Sequence, residues 1–292
     1  MYNHLPDVRG SYRIDADLGK QCWFQVGGKA DLIFRPEDAE DLRSFLHQYN
    51  RRTPIYILGV GSNILISDSG FHGCVIKLGK GFTHIHRDGN RLICGAGCLD
   101  INVAKHALSE SLGGLEFLYG IPGTIGGALA MNAGAYGREL ADVLVSATAI
   151  NLDGIQKTFS VQELGYSYRS NSLEDGWIFT EAIIQATPAD ASTISSIMDN
   201  IQIQRSTTQP IKSRTSGSTF RNPPGYKAWE LIDKAGCRGL RIGGAVVSDL
   251  HCNFFINTGT ASAQEIIMLI AEVKRRVLET SGITLHEEIK II

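Results

Sequence analysis

The sequence predicts a mixed α/β protein of two or three domains. Its 292 residues, 43% of them hydrophobic and 20% charged, are typical of a globular protein of about two domains. A strand–helix–strand pattern opens the chain, and a glycine-rich stretch without charged side chains occupies residues 117–137. Residues 206–217 are polar and turn-prone, which indicates a domain boundary there.

The first elements alternate between strand and helix. Residues 23–34 predict two short strands hinged at Gly27 and Gly28. A helix is predicted to open at Pro36, because proline suits the first helical turn and acidic residues follow it near the positive end of the helix dipole. Residues 54–58 predict a buried strand.

A short glycine motif follows that strand and runs from Gly59 to Ile64. A Rossmann fingerprint requires another glycine three residues after Gly61, where Ile64 stands, and a P-loop requires Gly-Lys-Ser/Thr, which does not occur here. What remains is a glycine turn with Ser62 and Asn63 as donors. It is either part of a ligand site or a hairpin turn between two strands.

The stretch 117–137 contains six glycines and includes a predicted helix at 125–131. Glycine lets backbone N–H groups approach a ligand closely, and successive bare amides form a concave nest that attracts anions. The N-terminus of the following helix adds its own positive end, so a pyrophosphate fits. The alternative is a buried apolar turn whose glycines serve close packing.

Capping signals and hydrophobic periodicity predict the other elements. Asp100 is expected to cap a helix, Gly236 to end one, and Ser262 with Glu265 to form the capping box of a long helix that stops at Gly282. The predicted helices span 101–111, 192 or 193 to 205, 227–235 and 263–281. On two of these helices the residues expected to be buried include Ile194, Ile197, Met198, Ile201 and Ile267. The predicted strands span 64–66 and 283–292, and the strands 144–152, 157–161 and 177–186 are expected to share one sheet.

Charge and cysteine usage exclude several classes of protein. A net charge of −2 gives no basic field for nucleic acid or anionic lipid. The N-terminal residues lack an apolar signal core, and no run approaches the ~20 apolar residues of a membrane span. The six cysteines, most of them within apolar runs, predict buried reduced thiols without a zinc set. We therefore expect a cytoplasmic protein with no metal, nucleic-acid or membrane partner.

Three polar residues are candidates for chemistry. Arg169 stands among tyrosines and small polar residues, where it is either held in place or an ordinary surface arginine lying on a ring. Ser218 lies in a glycine-led segment without the Gly-x-Ser-x-Gly pattern of hydrolases. Glu287 and Glu288 point to opposite faces of a predicted strand, so only one of them faces a given cleft.

The motifs together resemble those of UDP-N-acetylenolpyruvoylglucosamine reductases, nearly from end to end. The motifs that carry the resemblance are Phe24-Gln-Val-Gly-Gly28, Gly59-x-Gly-Ser-Asn-Ile64, Gly120-Ile-Pro-Gly-Thr-Ile-Gly-Gly127, Tyr168-Arg-Ser170, Gly217-Ser-x-Phe-x-Asn-Pro223, Arg241-Ile-Gly-Gly-Ala245 and the C-terminal Glu288.

The resemblance implies an α+β fold with an FAD-binding region of the vanillyl-alcohol-oxidase type in two subdomains, followed by a C-terminal substrate-binding domain. We expect these parts at residues 1–77, 78–213 and 214–292. The segment after Arg169 is short, and in this respect the sequence resembles the subclass of the family that lacks an extra substrate-clamping loop.

The resemblance also implies an activity in peptidoglycan precursor synthesis. NADPH would reduce the enolpyruvyl ether of UDP-N-acetylglucosamine-enolpyruvate to UDP-N-acetylmuramate through bound FAD, in a protein expected to be a monomer. Ser218 matches the proton donor of the family, and Arg169 and Glu288 match residues that stabilise the enolate.

Family positions that bind the cofactor and the substrate are matched residue by residue. The positions expected to bind FAD are Gly59, Val60, Gly61, Ser62, Asn63, Ile64, Gly123, Thr124, Gly126, Gly127, Asn132, Ala133 and Gly134. The positions expected to bind substrate are Asn222, His251 and Arg214.

Two other functions stay open from the sequence. A flavin oxidase on the same scaffold would use oxygen as its acceptor, and a nucleotide-sugar-binding module would hold no flavin. An absorbance spectrum before and after NADPH, and then after substrate, separates the three.

Overall fold

The computed structural model describes residues 5–49 and 53–292, which form two compact units. Both units are discontinuous in sequence. The first comprises Met1–Arg13, Leu32–Gly59 and Gly73–Ile203, and the second comprises Ile14–Asp31, Val60–His72 and Gln204–Ile292. The three sequence ranges expected for the domains stay a prediction.

Seven α-helices occur in the described residues. They are α1 Ala39–Gln48, α2 Asp100–Ser109, α3 Ile125–Met131, α4 Val161–Leu164, α5 Ala191–Thr208, α6 Ala228–Lys234 and α7 Ala263–Ser281. None of them is both long enough and apolar enough to cross a membrane.

Eighteen strands, many of them of only two or three residues, also occur in the described residues. They are β1 Ser11–Asp17, β2 Lys29–Arg35, β3 Ile55–Ile57, β4 Ile64–Leu65, β5 Phe71–Ile76, β6 Ile85–Asp88, β7 Arg91–Gly95, β8 Leu112–Gly113, β9 Gly134–Ala135, β10 Arg138–Glu139, β11 Leu144–Ile150, β12 Gln156–Ser160, β13 Ile178–Gln185, β14 Thr187–Pro188, β15 Arg241–Ile242, β16 Ala245–Val247, β17 Phe255–Asn257 and β18 Lys290–Ile291.

The first unit contains a five-stranded antiparallel sheet in the order β12-β11-β13-β7-β6. Its register places Ala182 of β13 opposite Cys94 of β7. The prediction that strands near 144–152, 157–161 and 177–186 share one sheet is confirmed. The core on this sheet is aliphatic and includes Leu92, Ala147 and Ile184, each almost completely buried.

A second core in the first unit is aromatic. The rings of Phe34 and Phe45 stack with centroids 4.2 Å apart, and Tyr49 stacks on Phe45 at 4.7 Å. Helix α1 contributes this apolar face, but it begins at Ala39 and not at Pro36, because the Asp38 side chain caps it by accepting the Asp41 N–H at 2.9 Å. A side-chain cap therefore sets the start of the helix.

A four-stranded sheet has the order β1-β2-β5-β3, with β3 parallel to β5. The prediction of two strands in residues 23–34 is half wrong, because only β2 forms. Gly27 has a positive φ of 106°, and the Gly28 N–H bonds to the Ser67 carbonyl, so this segment is a loop tied to other loops. Strand β1 was not expected from its polar sequence.

The second unit combines α6 and α7 with a three-stranded sheet in the order β15-β16-β17. The predicted capping box is confirmed, since Ser262 accepts the Glu265 N–H and the Glu265 side chain accepts the Ser262 N–H. Gly282 ends α7 in the left-handed region, with φ 72°. Ile267, expected to be buried on this helix, is only half-buried.

The C-terminal strand is much shorter than predicted. Only β18 forms from the range 283–292, and it pairs parallel to β4. Because β3 pairs with β5 instead of β4, the glycine turn between β3 and β4 is not a hairpin turn. The segment before β18 makes a single bridge between Glu287 and Phe220.

Two helical details also differ from expectation. Asp100 does not cap α2; it is the first helical residue, Leu99 takes the cap position, and no side-chain cap bond is made. Ile197 of α5 is 42% exposed, whereas Ile194, Met198 and Ile201 are buried as predicted. All six cysteines are buried, in agreement with the sequence.

Candidate active site

The turn from Gly59 to Ile64 presents backbone donors. Among the described residues, none accepts a hydrogen bond from the N–H groups of Val60, Gly61 or Ser62. Gly61 has φ 70°, and a Cβ there would collide with the Gln21 carbonyl, so only glycine fits. Three successive unaccepted N–H groups form the kind of nest that binds an anion.

Asn63 ties this turn to the C-terminal segment. Its side-chain nitrogen donates to the Glu288 carbonyl at 3.2 Å, and its own carbonyl accepts the Lys290 N–H at 3.1 Å. The next residue, Ile64, pairs with Lys290 in the β4–β18 ladder. The turn is thus held at its end by backbone bonds to a distant part of the sequence.

The first unit holds a second set of donors at Gly123 and Thr124, whose backbone N–H groups have no acceptor among the described residues. Thr124 caps α3 by accepting the Gly127 N–H at 3.3 Å. A Cβ at Gly126 would lie 3.1 Å from the Ala96 carbonyl, and one at Gly59 would lie 2.9 Å from Thr124 Oγ1. Gly59 and Gly126 therefore serve close packing, whereas the interpretation of this stretch as a ligand site stays a prediction.

Asn132 follows α3 in the left-handed conformation, with φ 44°, and is completely buried. Its side chain donates to the Ser167 carbonyl at 3.2 Å and accepts the Ala141 N–H at 3.0 Å. The next residue, Ala133, exchanges backbone bonds with α3 and Leu140. Asn132 therefore fixes the positions of neighbouring segments through bonds within the protein.

Arg169 is held in place in the first unit. Its Nη2 donates to the Gly134 carbonyl at 3.0 Å, and its guanidinium carbon lies 5.2 Å from the centre of the Tyr168 ring. The residue has φ 57°, a left-handed conformation that is strained for a long side chain. The arginine is thus both fixed by a hydrogen bond and stacked near a tyrosine.

Ser218 and Glu288 belong to the second unit and lie on paired segments. Ser218 bridges Phe254, and the next residue, Thr219, accepts the Glu288 N–H on its carbonyl at 2.8 Å. Lys274 Nζ forms a salt bridge of 2.7 Å with Glu287 Oε1. The structure therefore brings Ser218 and Glu288 together within one unit, while Arg169 belongs to the other.

The expected substrate residues are all in the second unit. Asn222 is exposed and its side-chain oxygen accepts the Ala228 N–H at 2.9 Å. His251 is half-buried with its ring 4.7 Å from that of Phe254, and burial lowers the pKa of its imidazole. Arg214 is exposed, and its carbonyl accepts the Asn257 N–H at 2.9 Å.

Two further residues beside the glycine stretch were missed by sequence reasoning. The Tyr136 ring packs so closely against Gly120 that a Cβ at position 120 would collide with it. Asp100 is completely buried, with no partner for its carboxyl oxygens among the described residues, and burial raises the pKa of this carboxyl well above its ordinary value. In the sequence, the tyrosine–glycine pair in a turn could have indicated Tyr136. No neighbouring residue in the sequence indicates that the Asp100 carboxyl lacks hydrogen-bond partners.

Two family profiles match separate parts of this chain. The profile of the C-terminal domain of UDP-N-acetylenolpyruvoylglucosamine reductase matches residues 209–292, and the profile of an FAD binding domain matches residues 30–160. The UDP-N-acetylenolpyruvoylglucosamine reductase of Parvibaculum lavamentivorans is 50% identical over 292 residues, which cover all of this chain and 94% of the relative. The chain belongs to the UDP-N-acetylenolpyruvoylglucosamine reductase family.

Further members support this assignment. The reductase of Rickettsia conorii is 50% identical over 288 residues, covering 99% of this chain and 98% of the relative. The crystal structure of the reductase from Thermus caldophilus matches with a TM-score of 0.84 at 33% identity, covering 98% of this chain and 99% of that one.

Part of the fold is shared more widely. 6-Hydroxy-D-nicotine oxidase from Arthrobacter nicotinovorans matches with a TM-score of 0.51 at 21% identity, over 64% of this chain and 44% of that one, which is a likeness of fold alone. The expected α+β fold with an FAD-binding region of the vanillyl-alcohol-oxidase type is confirmed.

As a reductase of this family, the protein is an FAD-dependent oxidoreductase. Its residues fit the cofactor, because the unaccepted N–H groups at Val60, Gly61 and Ser62 and at Gly123 and Thr124 offer donors without side-chain charge. Backbone donors of this kind suit the diphosphate of a dinucleotide.

Proposed function

We propose that the protein uses NADPH to reduce the enolpyruvyl ether of UDP-N-acetylglucosamine-enolpyruvate to UDP-N-acetylmuramate, a peptidoglycan precursor. Relatives named for this reduction match the whole chain at 50% identity. The observation that carries the proposal is the pairing of the segments that contain Ser218 and Glu288, which holds their backbones next to each other in the second unit.

The overall reaction adds a hydride to the β-carbon of the enolpyruvyl group and a proton to its α-carbon, while NADPH becomes NADP⁺. Bound FAD supplies the hydride transfer between the two. Ser218 donates the proton at its hydroxyl, which is a weak acid in water but is sufficient for a strongly basic enolate.

Arg169 stabilises the negative charge that develops on the α-carbon and its carboxylate. The bond from its Nη2 to Gly134 and the contact with Tyr168 hold the guanidinium before the reaction begins. A preorganised cation in a water-poor site stabilises developing charge better than solvent does, because it need not reorient. Glu288 assists from the segment paired with that of Ser218.

The remaining roles follow the family positions. The glycine turn Gly59–Ile64 and the positions Gly123, Thr124, Gly126, Gly127, Asn132, Ala133 and Gly134 bind FAD. Asn222, His251 and Arg214 contact the substrate. The protein acts in the cytoplasm as a monomer, with no nucleic-acid or membrane partner.

The decisive experiment separates the two half-reactions of the yellow holoenzyme with Ser218→Ala. Bleaching of the flavin absorbance by NADPH should proceed at nearly the wild-type rate, whereas its recovery on adding the enolpyruvyl sugar nucleotide should slow by about 10²–10⁴-fold, the usual contribution of a positioned acid. Ser213→Ala, five residues earlier, is the control and should change neither rate.

Equal slowing of both half-reactions would remove Ser218 from the role of proton donor. Rapid recovery of the absorbance with air, accompanied by peroxide, would contradict the reductase proposal and indicate an oxidase. Protein that folds but cannot be reconstituted with FAD would contradict both.

A further inference from the structure

A row of aromatic rings leads from the residue that pairs with Ser218 to the surface of the second unit. Phe254 bridges Ser218 through the backbone, and the His251 ring lies 4.7 Å from that of Phe254. The Trp229 ring lies 6.2 Å from His251. Trp229 is 39% exposed, whereas Phe254 is buried, so the outermost ring offers a large aromatic surface to solvent.

The hydrogen bonding of His251 fixes the tautomer of the imidazole. Its Nδ1 lies 3.3 Å from the Asn253 backbone N–H and accepts a hydrogen bond from it. Burial lowers the pKa of His251, which favours the neutral ring, so the single proton sits on Nε2. Among the described residues nothing accepts a bond from Nε2, which leaves a directional donor beside Trp229.

The loop before Trp229 is closed by a hydrogen bond. The Asn222 side chain accepts the Ala228 N–H at 2.9 Å and so fixes the start of α6, on which Trp229 is the second residue. Arg221 precedes Asn222, and its buried Nε has no hydrogen-bond partner among the described residues. The residue that follows this cation in the sequence, Asn222, therefore fixes the start of the helix that carries the exposed indole.

We propose that Trp229 is the stacking surface for the base of a nucleotide that enters beside Ser218, with His251 Nε2–H donating to a carbonyl or ring nitrogen of that base. A planar ring stacks on an exposed indole, a neutral imidazole donor gives it an orientation, and Arg221 compensates phosphate charge. The expected base is the uracil of a UDP-sugar, and this identity of the base rests on the proposed function.

The test compares Trp229→Leu with Trp229→Phe in the FAD-loaded protein, because both remain apolar but only phenylalanine keeps a ring. Base stacking contributes ~1–3 kcal/mol, so Trp229→Leu should weaken UDP binding in calorimetry by roughly 5- to 150-fold. Trp229→Phe should stay within a few-fold of wild type. Met268→Ala, an exposed change on α7, is the control and should have no effect.

The kinetics identify the source of the base. An increase in KM for the UDP-sugar at unchanged kcat and unchanged flavin bleaching by NADPH supports uracil. A weaker KM for NADPH alone also supports the stacking surface but assigns it to adenine. Unchanged affinities for UDP and NADP⁺ in Trp229→Leu would overturn the inference.

UDP binding is measured without turnover, so it is independent of the proposed reaction. If the variant loses UDP affinity but wild-type protein does not reduce the enolpyruvyl sugar, the proposed function fails and the stacking surface stands. If Trp229→Leu unfolds α6, tryptophan fluorescence tests the stacking surface instead. Quenching of the wild-type fluorescence by UDP that is smaller in Trp229→Phe supports stacking, and the absence of quenching contradicts it.

Discussion

Asp100 is a carboxyl that the fold isolates from every described hydrogen-bond partner. Both of its oxygens are buried, and a Cβ at Gly123 would lie 2.7 Å from Oδ2. Burying an unpaired carboxylate is costly, so the buried group favours its protonated form and its pKa is raised. The residue lies directly beneath one of the glycines that we assign to FAD.

Asp100→Asn should alter how stability depends on pH. A carboxyl whose folded pKa is raised contributes stability that is complete below its unfolded pKa of about 3.9 and is lost as pH rises through the folded pKa. Wild type should therefore lose about 1.4 kcal/mol per pH unit relative to the variant over that interval. Denaturant unfolding at pH 5, 6 and 7 measures the difference.

Asp41 provides the matched control. This buried aspartate accepts three backbone N–H groups, those of Arg9, Gly10 and Glu37, at 2.7–2.9 Å. Asp41→Asn should lower stability by roughly 2 kcal/mol, because hydrogen bonds to a charged group are lost. Parallel pH curves for wild type and Asp100→Asn would contradict an isolated carboxyl at position 100.

At the scale of elements, the end of α3 positions the Arg169 segment. Asn132 supplies both the left-handed turn and the two side-chain bonds to Ser167 and Ala141. Asn132 stays a proposed FAD-binding position. Its side chain also fixes the neighbouring segments through these internal bonds.

Asn132→Ala should destabilise the protein by roughly 3 kcal/mol, because two hydrogen bonds are lost. Alanine is also strained at a positive φ and, unlike asparagine, has no polar side chain that can bond to the local backbone. Asn132→Gly keeps the backbone conformation and should lose only roughly 2 kcal/mol. Thermal unfolding of both variants provides the comparison. Equal losses would indicate that backbone conformation contributes nothing at this position.

At the scale of the whole molecule, the C-terminal part is not self-sufficient. Asn257 donates from its side chain to the Phe24 carbonyl at 2.8 Å, and Ser216 donates to the Ile64 carbonyl at 3.1 Å. Asp68 accepts the first N–H groups of α7, those of Ala263 and Gln264. Residues 14–31 and 60–72 are thus integral to the second unit.

A fragment of residues 204–292 should therefore not fold by itself, although the sequence predicts a separate C-terminal domain at 214–292. Without the earlier segments, β18 has no partner strand and α7 loses the acceptor at its start. Well-dispersed amide resonances from the isolated fragment would contradict this prediction. The full chain measured under the same conditions is the reference.

Local signals were sufficient for much of the fold. The capping box at Ser262, helix α3 and the strands of the five-stranded sheet depend on residues close in sequence or on alternating burial, so their patterns predicted them correctly. Ordered glycine motifs likewise indicated the family. These features are encoded in short windows, where hydrogen bonding and periodicity decide the structure.

The sequence by itself determined the glycine-lined donors, the capped helices and the family of this reductase. Only the tertiary structure decided that β4 pairs with β18, that Ser218 and Glu288 lie on paired segments, and that Asp100 has no described partner. The physical reason is that each of these depends on which distant backbone or side chain occupies the neighbouring space. No pattern within a local stretch of sequence specifies that neighbour.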